Sequence, residues 1–249
     1  MLTVGKAKPT TLVSFSGIDG SGKSTQIESL HHRLQEMGIR VGVIRFWDDI
    51  AKLKPIRESA GHKLFKGDKG VGTPEAPIMR RDKNIRSWQM TCIRFVLYFI
   101  DAISACIAVR RALHSGFDFV IFDRYSYDEL ANLNLQSPLV RVYVCLILQV
   151  IPRLNRSYLL DADPLEAQTR KPEYPLDFVR VNRATYLEMS ALTQRLTVIP
   201  AMSIEDVRSK IYCHTLEDLL TSSGFAEEDD NSSRLKKNTL DGGHTRPAA

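Results

Sequence analysis

"FSGIDGSGKSTQ", Phe15 to Gln26, sets the reading of the whole chain. It packs three glycines, four hydroxyl side chains and one lysine into twelve residues. Before it stands "TTLVSFSG", a short β-rich apolar run ending in glycine, which predicts a buried strand. After it, Ile27, Leu30 and Leu34 recur at helical spacing from Lys23 to Met37, and the pattern stops at Gly38. Gly17, Gly22, Lys23 and Ser24 satisfy the spacing GxxxxGK[ST] between a strand and a helix. Backbone N–H groups can approach a phosphate closely only where side chains are absent and unusual dihedrals are open. The helix N-terminus adds partial positive charge. Lys23 supplies a point charge to the terminal phosphates, and the Ser24 hydroxyl can face Mg²⁺. The loop of Gly17, Ile18, Asp19, Gly20, Ser21, Gly22, Lys23, Ser24 and Thr25 is therefore the expected nucleotide-binding segment, with ATP and Mg²⁺ as its ligands.

Outward from this loop, strand-like and helix-like runs alternate. "RVGVIRFW" (Arg40–Trp47), "FDFVIFD" (Phe117–Asp123), "RSYLLDAD" and "LTVIPA" predict four further strands. Helices are expected over about 86–114, 139–151, a short run opened by Pro164, a run ending near 195, and a last one starting at Ser203. The implied architecture is an α/β three-layer fold. A five-stranded parallel sheet carries helices on both faces, and its site lies at the carboxyl ends of the strands. Residues 1–10 form an N-terminal extension, 11–221 the phosphate-loop domain, and 222–249 a polar tail too poor in bulky apolar residues to order itself. Within the domain, 48–84 is a glycine-containing basic insertion and 170–177 a charged segment in the position of a lid.

Composition bounds the partners. The 249 residues carry a formal net charge of +5, which suits an anionic ligand and is too weak a field to argue for nucleic acid. Cys92, Cys106, Cys145 and Cys213 form no CxxC pair and sit among apolar neighbours, so they are expected to be reduced core residues rather than metal ligands. The N-terminus lacks the apolar core of a secretory signal. The longest apolar run, Cys92–Val109, is interrupted by Arg94 and Asp101 and reads as a buried core helix, not a membrane span. A cytoplasmic enzyme is the expectation.

The chemistry narrows further at "FDRYSYDEL". Asp123 closes a buried strand, which aims its carboxylate at the phosphate loop, and Arg124 comes directly after it. An acid near Mg²⁺ and an arginine near the transferred phosphoryl are what an electrostatic phosphoryl-transfer mechanism needs. Lys23, Asp123 and Arg124 are thus the catalytic candidates, with Ser24 and Asp123 the metal-facing ones. A GTPase would need a guanine-reading NKxD motif, and the sequence has none.

With these residues in place, the chain from Thr11 to Ile211 resembles the thymidylate kinase family of nucleoside monophosphate kinases. The resemblance rests on "SGIDGSGKSTQ", "DRY" at Asp123–Tyr125, "LLDADPLEAQTR" at Leu159–Arg170, "DFVRVNRATYLEMS" at Asp177–Ser190 and "VIPAMSIEDV" at Val198–Val207, in the family's order and spacing. It implies transfer of the ATP γ-phosphoryl to a nucleoside monophosphate, dTMP by precedent, and leaves a homodimer open as the assembly. By position it implies that Asp19 contacts the acceptor sugar 3′-hydroxyl, that Arg124 bridges donor and acceptor phosphates, and that Arg170 and Lys171 belong to the lid. Gly20 stands where one branch of the family carries a loop arginine.

The departures cluster on the acceptor side. "RFWDDIAKL" stands where the family has an REPG segment. Ala102 and Ile103 occupy the neighbourhood of the acceptor-phosphate arginine. Asp128 and "ANL" at Ala131–Leu133 replace a serine and AYQ. Arg94, Tyr98 and Asp101, spaced four and three apart, make one polar stripe on the apolar helix and offer a substitute acceptor wall or an ordinary exposed face. Asp48, in "FWDD", offers a base for a hydroxyl acceptor or lies in a solvated turn. Two alternatives to a monophosphate kinase therefore stand beside it. One is a kinase for a nucleoside or other hydroxyl acceptor. The other is a nucleotide-binding regulator with little turnover.

Overall fold

In a computed structural model of the chain, residues 9–51 and 88–221 are described, 88–90 by their backbone only. Most of the basic insertion, the first residues and the tail from 222 lie outside them. Five strands form a single parallel sheet: β1 (Thr11–Ser16), β2 (Val41–Arg45), β3 (Phe119–Asp123), β4 (Arg156–Leu160) and β5 (Thr197–Ile199). Their order across the sheet is β2-β3-β1-β4-β5. The helices are α1 (Lys23–Glu36), α2 (Trp88–Leu113), α3 (Ser126–Leu130), α4 (Pro138–Val150), α5 (Pro164–Arg170), α6 (Leu176–Thr193) and α7 (204–221).

β1 sits at the centre, covered on both faces. Every residue of it is buried. Val13 and Phe15 face a core with Ile27, Leu30 and Leu34 of α1, and Ile211 of α7. Leu12 faces the opposite core with Val120, Phe122 and the helices α2, α3, α4 and α6. Alternation along β3 divides its residues in the same way, as a strand covered on both faces requires. α7 is tied down at three levels. Arg156 makes a bidentate pair with Asp218 (2.8 and 2.6 Å), Gln26 Nε2 donates to the Ile204 carbonyl (3.1 Å), and the Tyr158 hydroxyl donates to the Ile211 carbonyl (3.4 Å).

Register sets up the site. Phe15 on β1 and Arg45 on β2 both lie opposite Asp123 on β3. Three strands therefore end level with one another, and the glycine loop, the turn after β2 and the turn after β3 all leave from one edge of the sheet.

Several expectations change. The second strand stops at Arg45, and Phe46–Ile50 wind into a single π-helical turn. That turn buries Phe46 and Ile50 and projects Trp47. α2 is a core helix along one side only. Tyr98, Ala102, Ala105, Val109 and Ala112 are buried, while Val96, Phe99, Ile103 and Ile107 are exposed. By length and composition alone α2 passes as apolar enough to cross a membrane over Thr91–Leu113. α4 is likewise half-covered, with Leu139, Val142, Leu146 and Val150 exposed. The four cysteines are free, as expected, but none is a core residue. Cys92, Cys145 and Cys213 are exposed and Cys106 is partly so, because each lies on the outer side of its helix.

Candidate active site

β1 ends at Ser16 and the chain turns through the glycine loop into α1. Gly22 takes the N-cap position at φ 87°, and no side chain caps the helix. The first N–H groups of α1 are left for a ligand to satisfy. Gly20, at φ 83°, is required for a second reason. A Cβ there would run into the carbonyl of Ala167 on α5. No side chain fits, which explains the absence of a loop arginine at this position. An arginine from α5 approaches the loop at this point. Arg170 Nη1 donates to the Gly20 carbonyl (3.2 Å), while its other nitrogen pairs with Glu166 (2.6 Å). Lys171 lies just beyond and pairs with Glu173 (3.2 Å). α6 starts at Leu176, so only 171–175 link the two helices.

Lys23 is buried at the loop's centre. Its Nζ donates to the carbonyls of Gly17 (2.9 Å) and Ile18 (2.7 Å) and lies 3.4 Å from Ser21 Oγ. Burial, helped by the positive charge of Arg124, pushes its pKa down to about 7, against the pull of Asp19, Asp128 and Asp123. Ser24 and Thr25 are exposed in the first turn of α1.

At the end of β3, Asp123 is half-buried. Arg124 adopts φ 70°, a left-handed conformation that a non-glycine residue occupies at a cost, and its N–H donates to the Phe15 carbonyl (3.0 Å). That turn carries the side chain back toward the loop. Nη2 pairs with Asp19, and Nη1 pairs with Asp128 at 2.9 Å. Burial would lower the guanidinium's pKa, but Asp128, Tyr186 and Asp19 more than reverse this and hold it protonated. The Tyr186 hydroxyl is held neutral by its burial and by the Asp128 carboxylate.

Asp19 and Arg124 line a small cavity of about 30 Å³ together with Trp47, Asn132, Tyr174 and Asn182. Aromatic side chains enter from the π-turn and the α5–α6 link, and amides from the segment after α3 and from α6.

The remaining candidates lie outside this lining. Asp48 is exposed in the π-turn, and Asp49 accepts from the Arg45 N–H (2.7 Å). The stripe on α2 turns inward rather than to solvent, with Asp101 fully buried and Tyr98 nearly so. Arg94 approaches the cavity through Asn132, with Nη1 3.5 Å from its carbonyl. Sequence reasoning missed Ser16, Tyr186 and Asn182, although Tyr186 and Asn182 lie inside the motif Asp177–Ser190. It also missed the bidentate pair of Arg183 with Asp161 (2.6 and 2.7 Å), which ties α6 to the end of β4.

The donor set fits a nucleotide with its cation. The loop offers open helix N–H groups and one lysine. Ser24 and Asp123 supply two oxygen donors, and Mg²⁺ ordinarily takes only one or two protein ligands beside phosphate and water. Among the described residues there is no cluster of three or more His, Cys, Asp or Glu to hold a metal without such help.

A central β1, a phosphate loop between it and α1, and an Asp-Arg pair closing the neighbouring strand define the phosphate-loop nucleotide kinases as a class. Thymidylate kinases from three Bifidobacterium longum strains narrow the class. Those of DJO10A, of subspecies infantis ATCC 15697 and of NCC 2705 are each 30% identical to this chain over 214 residues. The matches span 80% of this chain and 94%, 83% and 94% of the respective relatives. The chain belongs to the thymidylate kinase family. No protein-family model matches it.

Proposed function

We propose that the protein transfers the γ-phosphoryl group of ATP, with Mg²⁺, to a nucleoside monophosphate, dTMP by kinship, giving ADP and the diphosphate. One observation carries this reading. Gly17, Ile18 and Asp19 of the phosphate loop line one cavity with Arg124, and the Gly17 and Ile18 carbonyls accept from Lys23, so one loop would serve a donor on one side and an acceptor on the other.

Lys23 exchanges its loop carbonyls for phosphate oxygens and offsets the charge that gathers on the transferring group. Ser24 and Asp123 would hold Mg²⁺, which would supply positive charge against the phosphates. Arg124 leaves Asp19 to bridge the two phosphates, and Asp19 becomes free to accept from the acceptor sugar hydroxyl. Trp47 and Tyr174 offer apolar surface to a base, with Asn132 and Asn182 able to donate to or accept from its edge. Arg170, already on the loop, adds charge from the lid.

A hydroxyl acceptor would need a base, and Asp48, the expected one, is exposed and outside the cavity lining. That weighs against the hydroxyl alternative. The buried lysine and the ion-paired arginine weigh against a regulator without turnover. This reading takes the cytoplasm as the compartment and nucleotides as the partners, with neither nucleic acid nor membrane required. The exposed stripes Val96, Phe99, Ile103, Ile107 on α2 and Leu139, Val142, Leu146, Val150 on α4 repeat at helical spacing and would pair in a homodimer. Sedimentation at twice the chain's mass would support that.

The test of the reaction is ADP release from Mg-ATP across a panel of monophosphates and the matching nucleosides. Release with a monophosphate, abolished by EDTA, is expected. Release with nucleosides alone would select the hydroxyl reading.

A further inference from the structure

Asp128 stands at a position where the resemblance leads one to expect serine, and it is 3% exposed. A buried carboxylate is costly unless it is paired and its oxygens are hydrogen-bonded. Here both oxygens are satisfied. Oδ1 accepts from Arg124 Nη1 (2.9 Å) and from the Tyr186 hydroxyl (2.7 Å). Oδ2 accepts from the Ser16 hydroxyl (2.6 Å) and the Tyr125 N–H (3.3 Å). These four donors come from the end of β1, from α6 and from the turn after β3. The carboxylate is therefore fixed from three directions and needs nothing from a substrate.

Its partner differs from it in this respect. Arg124 is held between two carboxylates, Asp128 on Nη1 and Asp19 on Nη2. Asp19 sits on the glycine loop with its side chain 24% exposed, whereas that of Asp128 is 1% exposed. One anchor is rigid and the other is reachable by an incoming phosphate. The backbone of Arg124 is already committed, since φ 70° and the bond to the Phe15 carbonyl leave only the side chain to move.

We propose that Asp128 is a positioning residue for phosphoryl transfer: it pins Nη1 of Arg124, so the guanidinium exchanges Asp19 for phosphate oxygens by pivoting in place. The proposal rests on the kinase reading above. It assigns the extra carboxylate a task a serine could not perform, because a serine hydroxyl brings no counter-charge to a buried guanidinium. Its hydrogen bonds run to Ser16, Arg124, Tyr125 and Tyr186 and to none of the loop residues 17–25.

The experiment uses the full chain with Mg-ATP and the monophosphate that wild type phosphorylates. D128N should lower kcat about 10- to 100-fold, the scale of a misplaced catalytic group, with the Kd for ATP changed by less than about threefold. Y186F, which keeps the charge and removes one donor, should lower kcat about three- to tenfold and serves if D128N does not fold. In an R124K background D128N should cost little more, because a residue acting through Arg124 has nothing left to position. A readout independent of turnover is the Arg124 Nε–H signal in ¹⁵N NMR, sharp in wild type and broadened or fast-exchanging in D128N or Y186F. A folded D128N with wild-type kcat and an unchanged Arg124 signal would overturn the proposal, as would equal losses in the Arg124 and R124K backgrounds. A wild type inactive on every monophosphate would instead sink the parent reading, and the Arg124 signal would still decide whether Asp128 holds the guanidinium.

Discussion

The two halves of the site are built differently. On the phosphate-loop side, a strand, a loop and a helix follow one another within Thr11–Glu36, and the glycines, Lys23 and Ser24 come from one short run of sequence. On the acceptor side, the contacts bring together residues 112 apart (Ser16 and Asp128), 105 apart (Arg124 and Asp19) and 58 apart (Tyr186 and Asp128). The donor half is a local motif whose chemistry is fixed by spacing. The acceptor half is a tertiary assembly whose chemistry depends on where the helices land.

If that contrast is right, substitutions in the loop should be severe and those around the acceptor wall graded. The largest effect is expected for Lys23→Ala, at least about a 10²-fold loss of kcat, since it removes a charge from a low-dielectric site facing the transferring group. Circular dichroism should show the fold retained, because the lysine's own bonds run only to its loop.

Next is Gly20→Ala. It combines a left-handed φ with a collision against α5, and should cost about 1–3 kcal/mol in chemical denaturation. Gly22→Ala has open space around the added carbon and should cost only the backbone term, about 1–2 kcal/mol. Equal losses at the two positions would show that α5 does not press on the loop.

On the acceptor wall, Trp47→Ala should raise the acceptor KM about tenfold while leaving the Kd for ATP alone, the scale of a lost aromatic contact. Asp48→Asn, one residue away but outside the cavity lining, should change kcat less than about twofold. A collapse of turnover in Asp48→Asn with its fold intact would restore the hydroxyl reading.

The smallest signal is a proton. Lys23 at about pKa 7 is largely neutral in the free protein at pH 8, and phosphate favours the ammonium form. ATP binding at pH 8 should take up about one proton, and close to none at pH 6, read by calorimetry in buffers of different ionisation enthalpy. The same depression has a consequence for stability. Between about pH 7 and the lysine's ordinary 10.5 the unfolded chain holds more protons, so this residue's contribution to stability rises with pH across that window and is least below it.

The contrast also explains how much was legible in the sequence. The five strands, their parallel arrangement and the phosphate loop come from alternation and spacing, which are local. Asp123 and Arg124 were reachable because they close a buried strand. Asp128 was visible only as a departure from serine, since nothing in "SYDEL" says that a tyrosine from α6 will meet it. The π-turn at Phe46–Ile50 escaped because apolar Phe46 and Trp47 continue a strand-like run, and the strand is ended by the burial of Phe46 beneath the turn. α2 read as fully buried because its apolar residues cover almost the whole circumference. Periodicity cannot separate a face packed on the sheet from a face left open.

The central claim is that this site moves a phosphoryl group onto another phosphate. ³¹P NMR of one mixture tests it directly: the protein, Mg-ATP, and dTMP with thymidine as the competing hydroxyl acceptor. The expected result is growth of the ADP resonances together with a second new β-phosphate signal from dTDP, both missing with Lys23→Ala. New monophosphate in place of that second signal, or ATP bound and left intact with every monophosphate supplied, would contradict it.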